Sequence, residues 1–271
     1  MDVARIKRAF NGQQPHSTAQ MPRPALNSLQ QVLKILACLL VLKVTLCVML
    51  GYRDYFPPDF DSDFLRGRQT YFYGAYQLAF YAHVISGPIS LLVGLLLVSE
   101  WFRLRFPMTH RSLGKMQIIT VLLLLSPSGL WMAYYAETGT VAALGFAVLA
   151  IVTGMCALLG WYAVVNRRFT EHRRWMLRCF LLLCSAVVLR LICGLLTVAD
   201  IDAAWSYPLA AWVSWLGPLA AFELYQGLKR QSRWIIIGNK THSQSSKTTS
   251  SLPAMEIIPR RTSADSPSLS S

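Results

Sequence analysis

Apolar positions along this chain fall in blocks of about 20 residues separated by short polar links, and a helix needs about that length to cross a bilayer. The pattern predicts six spans: about Gln31 to Gly51, Tyr71 to Val98, Met116 to Tyr135, Val141 to Val165, Met176 to Val198 and Pro208 to Leu228. The second opens in an aromatic girdle, Tyr71, Phe72, Tyr73 and Tyr76, of the kind favoured where membrane meets water. Gly87-Pro88 and Ser126-Pro127-Ser128-Gly129 predict kinks, because proline removes a helical hydrogen bond and crowds the preceding turn; Gly217-Pro218 lies within the sixth span. The expected fold is all-α: a polytopic integral membrane protein with six transmembrane helices over residues 30–230 and a four-helix core of spans two to five. Residues 1–29 and 231–271 are polar and lack steady periodicity, which predicts disordered tails.

Composition agrees with this reading. The chain is 54% hydrophobic and 14% charged, with a positive mean hydropathy, unlike an ordinary soluble domain. A net charge of +13 would suit nucleic acid, but the distribution of that charge argues for a lipid bilayer as the partner. The N-terminal tail, the links 103–115 and 167–178 and the start of the C-terminal tail hold about 17 Lys and Arg. The opposite links hold three, Arg53, Arg66 and Arg68. This asymmetry places both termini in the cytoplasm, with the chain in the cell (inner) membrane. The six cysteines lie in apolar segments with no CxxC pair, which argues against a disulfide framework or a zinc site. There is no GxSxG, no HExxH and no glycine-rich phosphate loop, so hydrolase chemistry has no support.

Basic residues concentrate in Arg167–Arg178, and the earlier stretch Arg103–Lys115 is similar. Arg105-Phe106 followed by His110-Arg111 is echoed by Arg168-Phe169 followed by His172-Arg173. Spans two and three would then repeat as spans four and five, about an axis along the membrane normal. Convergence of two basic loops under the positive-inside bias is the other reading. On either reading His110 and His172 start the third and fifth helices at one membrane face. Two facing imidazoles can hold the iron of a haem b, and Arg111 and Arg173 beside them suit its propionates. The plainer alternative makes all four interfacial anchors.

His83 lies ~18 Å along its helix from Tyr71, near mid-membrane. Helical spacing puts it on one face with Tyr76, Phe80 and Gly87. Arg190 follows His172 by five full turns, ~27 Å, which sets it inside the outer half of the membrane. No Asp or Glu occurs at that depth, so its partner is a backbone carbonyl, a tyrosine hydroxyl or an anionic ligand. With Lys43 also in the outer half, an anion-attracting cavity at His83, Arg190 and Tyr76 is one reading. The other is that Arg190 occupies carbonyls freed at the proline kinks.

At His110-Arg111-Ser112-Leu113-Gly114-Lys115 and His172-Arg173-Arg174-Trp175-Met176-Leu177-Arg178, with His83 before and Arg190 after, the chain resembles the predicted bacterial membrane proteins grouped as domain of unknown function 2306. The resemblance covers about residues 70–225 and implies membrane location, with no activity attached. The chain is more distantly similar to cytochrome b561-type bundles, whose core helices carry successive haem-ligating histidines. Its three usable histidines allow one bis-histidine haem at most. Three functions stand open: an electron carrier holding haem b, a small-solute (anion) transporter or channel, and a non-catalytic structural membrane protein. A homo-oligomer or a redox partner fits any of them.

Overall fold

Inside a bilayer the backbone has no water to bond, so each apolar block must close its hydrogen bonds within itself, and helices follow. The computed structural model describes residues 23–249, apart from 63, 137, 138 and 202, and side chains over 28–231 apart from those same residues. The described residues form helices and connecting turns, with no strand among them. In chain order these are α1 (Arg23–Leu50), a 3-10 turn (Gly51–Asp54), α2 (Ala75–Val98), the short α3 (Glu100–Arg105) and α4 (Pro107–Thr120). A π-turn (Val121–Leu125) joins α4 to α5 (Ser126–Tyr134). Then come α6 (Thr140–Val165), α7 (Phe169–Leu183), α8 (Ser185–Val198) and α9 (Ser206–Thr249). The chain divides into two compact units, Met1–Ala220 and Ala221–Ser271. The second takes the C-terminal part of α9, which is helical beyond Lys229-Arg230, where an irregular tail is expected. Residues 1–22 and 250–271 of the expected tails lie outside the described residues.

Five helical stretches are long and apolar enough to cross a membrane: Ser28–Asp54, Ala75–Val98, Pro107–Tyr134, Thr140–Val165 and Phe169–Val198. The sixth block is helical too but falls short of the same hydropathy, because Pro208, Pro218, Glu223 and two tryptophans dilute its aliphatic residues. Two boundaries differ from the sequence pattern. The helices expected from Met116 and Met176 start at Pro107 and Phe169, so both basic stretches are largely helical. Arginine is a good helix former, and Pro107 sits where a helix tolerates proline. Only Arg167 and Arg168 of the second stretch lie between helices. Arg167 takes the left-handed conformation (φ 59°), and the two N–H groups cap α6 by donating to Val164 O at 3.0 Å and Ala163 O at 2.8 Å.

Lipid is as apolar as leucine, so helices in a membrane associate by close contact at small residues. Glycines supply the notches here. A methyl group added at Gly160 of α6 would lie 2.7 Å from Met176 Sδ, and one at Gly154 would lie 3.1 Å from Ser126 Oγ. One at Gly94 of α2 would lie 2.9 Å from Phe180 Cδ2, and Gly145 admits the indole of Trp212, whose Nε1–H donates to Val141 O at 3.0 Å. Leu91, Val121, Leu125, Ala157, Leu182 and Trp215 share the core these contacts enclose. The proline at 127 is absorbed by widening: α4 passes through the π-turn just before it, which relieves the clash a proline ring makes with the preceding turn. The first helix packs least, with 6% of its span window buried. All six cysteines are free.

Because Phe180 is a stiff ring seated against the Gly94 backbone, Gly94→Val should lower stability by about 1–3 kcal/mol through overpacking. A fall in the thermal midpoint of the detergent-purified variant checks this.

Candidate functional site

The residues between α1 and α2 build a folded cap rather than a slack link. Leu65, Phe72, Tyr76 and Phe80 form a buried apolar cluster, joined at its edge by Tyr52, Tyr55 and Phe60. An Asp59 turn is closed by the Asp61 N–H donating to Asp59 Oδ1 at 2.9 Å, and Tyr81 Oη donates to Tyr55 O at 2.9 Å. Arg68 fastens the cap to the helices below. Its guanidinium donates to Phe64 O (2.7 Å), to Tyr76 Oη (2.9 Å) and to Tyr135 O (3.3 Å), and lies 4.5 Å over the Phe64 ring.

Beneath this cap is a cavity of about 510 Å³, within the 300–1,000 Å³ range usual for small-molecule sites. Every helix of the bundle except α3 and α4 contributes to its wall. Its guanidinium and phenol groups are Arg68, Arg190, Tyr52, Tyr55, Tyr76 and Tyr207. The rest of its wall is mostly aliphatic, with Val84, Leu91, Leu125, Leu182, Leu183 and Val187, interrupted by His83 and by the hydroxyls of Ser126, Thr153, Ser185 and Ser214. No Asp or Glu lines it among the described residues.

His83 occupies the middle of the α2 wall. Its Nδ1 lies 3.3 Å from Ser128 Oγ, and the Ser128 hydroxyl donates to Leu125 O at 3.2 Å. The ring fits because residue 129 is glycine: an added methyl group would come 3.2 Å from His83 Cε1. The face Tyr76, Phe80, His83 and Gly87, expected from helical spacing, is the one turned to the cavity. Arg190 donates to Ala186 O on its own helix at 3.0 Å, not to a carbonyl freed at a proline kink, and no carboxylate pairs with it among the described residues. Tyr52 of the 3-10 turn, His83 of α2, Cys193 of Arg190's own helix and Tyr207 of α9 line the cavity with it. Lys43 is exposed on α1 and does not line the cavity, which takes Val44, Thr45 and Val48 from that helix and Tyr52 from the 3-10 turn after it.

His110 and His172 lie at the opposite end, each in the first turn of its helix, with its N–H donating to the residue four before it: Phe106 O and Arg168 O, both at 2.9 Å. The local geometry thus matches at both positions of the sequence echo. The imidazoles are close enough to interact electrostatically, although no Cα atom of α4 comes within 8 Å of α7. His172 Nδ1 bonds Gly160 O at 2.8 Å, while His110 Nδ1 is buried without a partner. Arg111 and Arg173 beside them are exposed. No group of three or more His, Cys, Asp or Glu converges on a metal position among the described residues.

The profile of the family described as Predicted membrane protein (DUF2306) matches residues 80–226, more than half of the 271-residue chain. The chain belongs to that family. The match takes in His83, His110, His172 and Arg190 and begins after the cap, so Arg68 and Tyr76 lie outside it. No curated protein and no solved structure matches the chain.

Sequence reasoning missed the cap residues of the cavity, Arg68 above all. A signal existed: Arg68 is one of the three basic residues that break the charge asymmetry between the two sets of links. Because Arg68 fastens the cap at three carbonyl or hydroxyl oxygens, Arg68→Ala should free the segment around Arg66. Tryptic cleavage there, in nanodisc-embedded protein, should speed up several-fold while the helical content by circular dichroism stays unchanged.

Proposed function

We propose that this protein binds and moves a small organic anion with an apolar body, with His83, Arg190 and Tyr76 as its cavity residues and Arg68 at the mouth. The observation that carries this reading is Arg190, which has no carboxylate partner among the described residues, at a cavity whose wall is mostly apolar. A cation held within a membrane bundle costs several kcal/mol unless something answers its charge, and such residues commonly mark substrate paths. Arg190 gives one hydrogen bond to its own helix and has further N–H groups in its planar fork, the geometry suited to carboxylate, sulfonate or phosphate. The apolar wall would take the apolar part of the same molecule. Gly87-Pro88 on α2 and the π-turn before Pro127 flank His83, and both are points where a helix bends without breaking its neighbours' packing. Transport would use these as hinges. In this reading the start of α9 is the sixth span, and both termini face the cytoplasm, as the charge asymmetry directs.

A second reading rests on the other end. With Nδ1 of His172 bonded to the Gly160 carbonyl, Nε2 is the nitrogen left for a metal, the usual arrangement of a ligating histidine. His110 would supply the opposite ligand of a haem b, and Arg111 and Arg173 its propionate partners.

Sodium octanesulfonate, a permanent anion with a short apolar tail, tests the first reading by calorimetric titration of nanodisc-embedded protein. Arg190→Gln should weaken binding by about 10- to 100-fold, the worth of a charge-assisted hydrogen bond. Lys115→Gln, exposed at the other end, should leave it unchanged; equal affinity in wild type and Arg190→Gln overturns the reading. For the second, protein from haem-replete cells should show a Soret band that shifts on dithionite reduction and is lost in His110→Leu. A colourless wild-type preparation rules it out.

A further inference from the structure

We infer that anion binding in this cavity takes up a proton on His83 Nε2, so that the anion and a proton enter together. The inference rests on the anion-cavity reading and adds to it a second substrate, the proton.

The Ser128 hydroxyl carries a single hydrogen, and it is given to Leu125 O. The Ser128 oxygen can therefore only accept from His83, which assigns the hydrogen of the neutral imidazole to Nδ1. The Leu125 carbonyl, close to the same ring, also accepts and cannot donate. Gly129, by admitting the ring edge, holds this orientation.

Nε2 is then a bare lone pair. It makes no hydrogen bond among the described residues and keeps accessible surface, on a residue that lines the cavity. A lone pair facing an anion is repulsive, and moving the Nδ1 hydrogen to Nε2 would require the Ser128 hydroxyl to turn away from Leu125 O toward Nδ1. The ring meets an anion with both of these bonds kept by taking a proton from water and becoming an imidazolium. Nε2–H then donates to the anion, Nδ1–H keeps its bond to Ser128, and the anion lies near two cations, His83 and Arg190. No covalent or redox change is involved. By linkage, a proton that strengthens anion binding is itself bound more strongly when the anion is present.

The other groups facing the cavity do not supply this proton site in the neutral range. Tyr52 of the 3-10 turn, Tyr55 of the cap, Tyr76 of α2 and Tyr207 of α9 bring phenols, and Arg68 and Arg190 bring guanidinium groups, side-chain types whose ordinary range lies above neutral. Cys193 of α8, a thiol, is the one further titratable group among the described lining residues, and α5 and α6 present none.

Octanesulfonate cannot carry the proton itself, so proton uptake on its binding must occur on the protein. Calorimetry of nanodisc-embedded protein at about pH 7.5, above the ordinary histidine range, in two buffers of different ionisation enthalpy reads the number taken up. The wild type should take up close to one proton per anion, and its affinity should fall about tenfold per pH unit above that point. His83→Gln keeps a neutral donor, so it should bind the anion with no proton uptake and a flat pH profile. Binding by the wild type without proton uptake overturns the coupling while leaving the anion cavity standing. Uptake that persists in His83→Gln also overturns it, because the proton then binds elsewhere than His83. If the wild type binds no octanesulfonate at any pH, the anion-cavity reading fails and this inference with it.

Discussion

Glycine notches hold this bundle together. Within a bilayer there is no gain from hiding one aliphatic side chain against another, so association depends on how closely helices approach. Gly94, Gly145, Gly154 and Gly160 each receive a side chain from a neighbouring helix, at distances that leave no room for a methyl group in the same place. Gly129 does the same for a functional group, the imidazole of His83. The cavity is the space left where this close contact ends: its walls are the helices that the notches hold together, and α1, which packs least, closes its side.

The electrostatics follow from that space. A buried or membrane-embedded cation is stable only with an answering group, and structures usually provide a carboxylate. This one places Arg190 and Arg68 at a single cavity without a carboxylate among its described lining residues. Arg68 donates to carbonyl and hydroxyl oxygens of the cap and of α5's end, so its role at rest is to clasp. Arg190 is satisfied only by its own helix. The difference makes Arg190 the group with donors left to offer a ligand, and it puts a folded, aromatic-rich cap rather than an open loop above it.

Much of the architecture was legible because it depends on local properties. Span length and the irregularity before Pro127 are read from neighbouring residues, and the helices lie where the apolar blocks do. The misplaced starts at Pro107 and Phe169 arose because a run of arginines is both a topology marker and good helix-forming sequence, and hydropathy sees only the first. The sixth block shows the opposite failure: its helix is clear, but tryptophan, proline and Glu223 lower the hydropathy by which a span is recognised.

The site divides along the same line. The sequence by itself determined that His83 shares a face with Tyr76, that Arg190 has no carboxylate at its depth, and that His110 and His172 begin helices at one end, since each follows from rise and rotation along a single helix. Only the tertiary structure decided that His83 and Arg190 face one cavity, that Arg68 joins them and that Lys43 points away. Those facts depend on the rotation of each helix about its axis. That rotation is set by which side chain fills which glycine notch on another helix, and no single segment of the chain contains both partners.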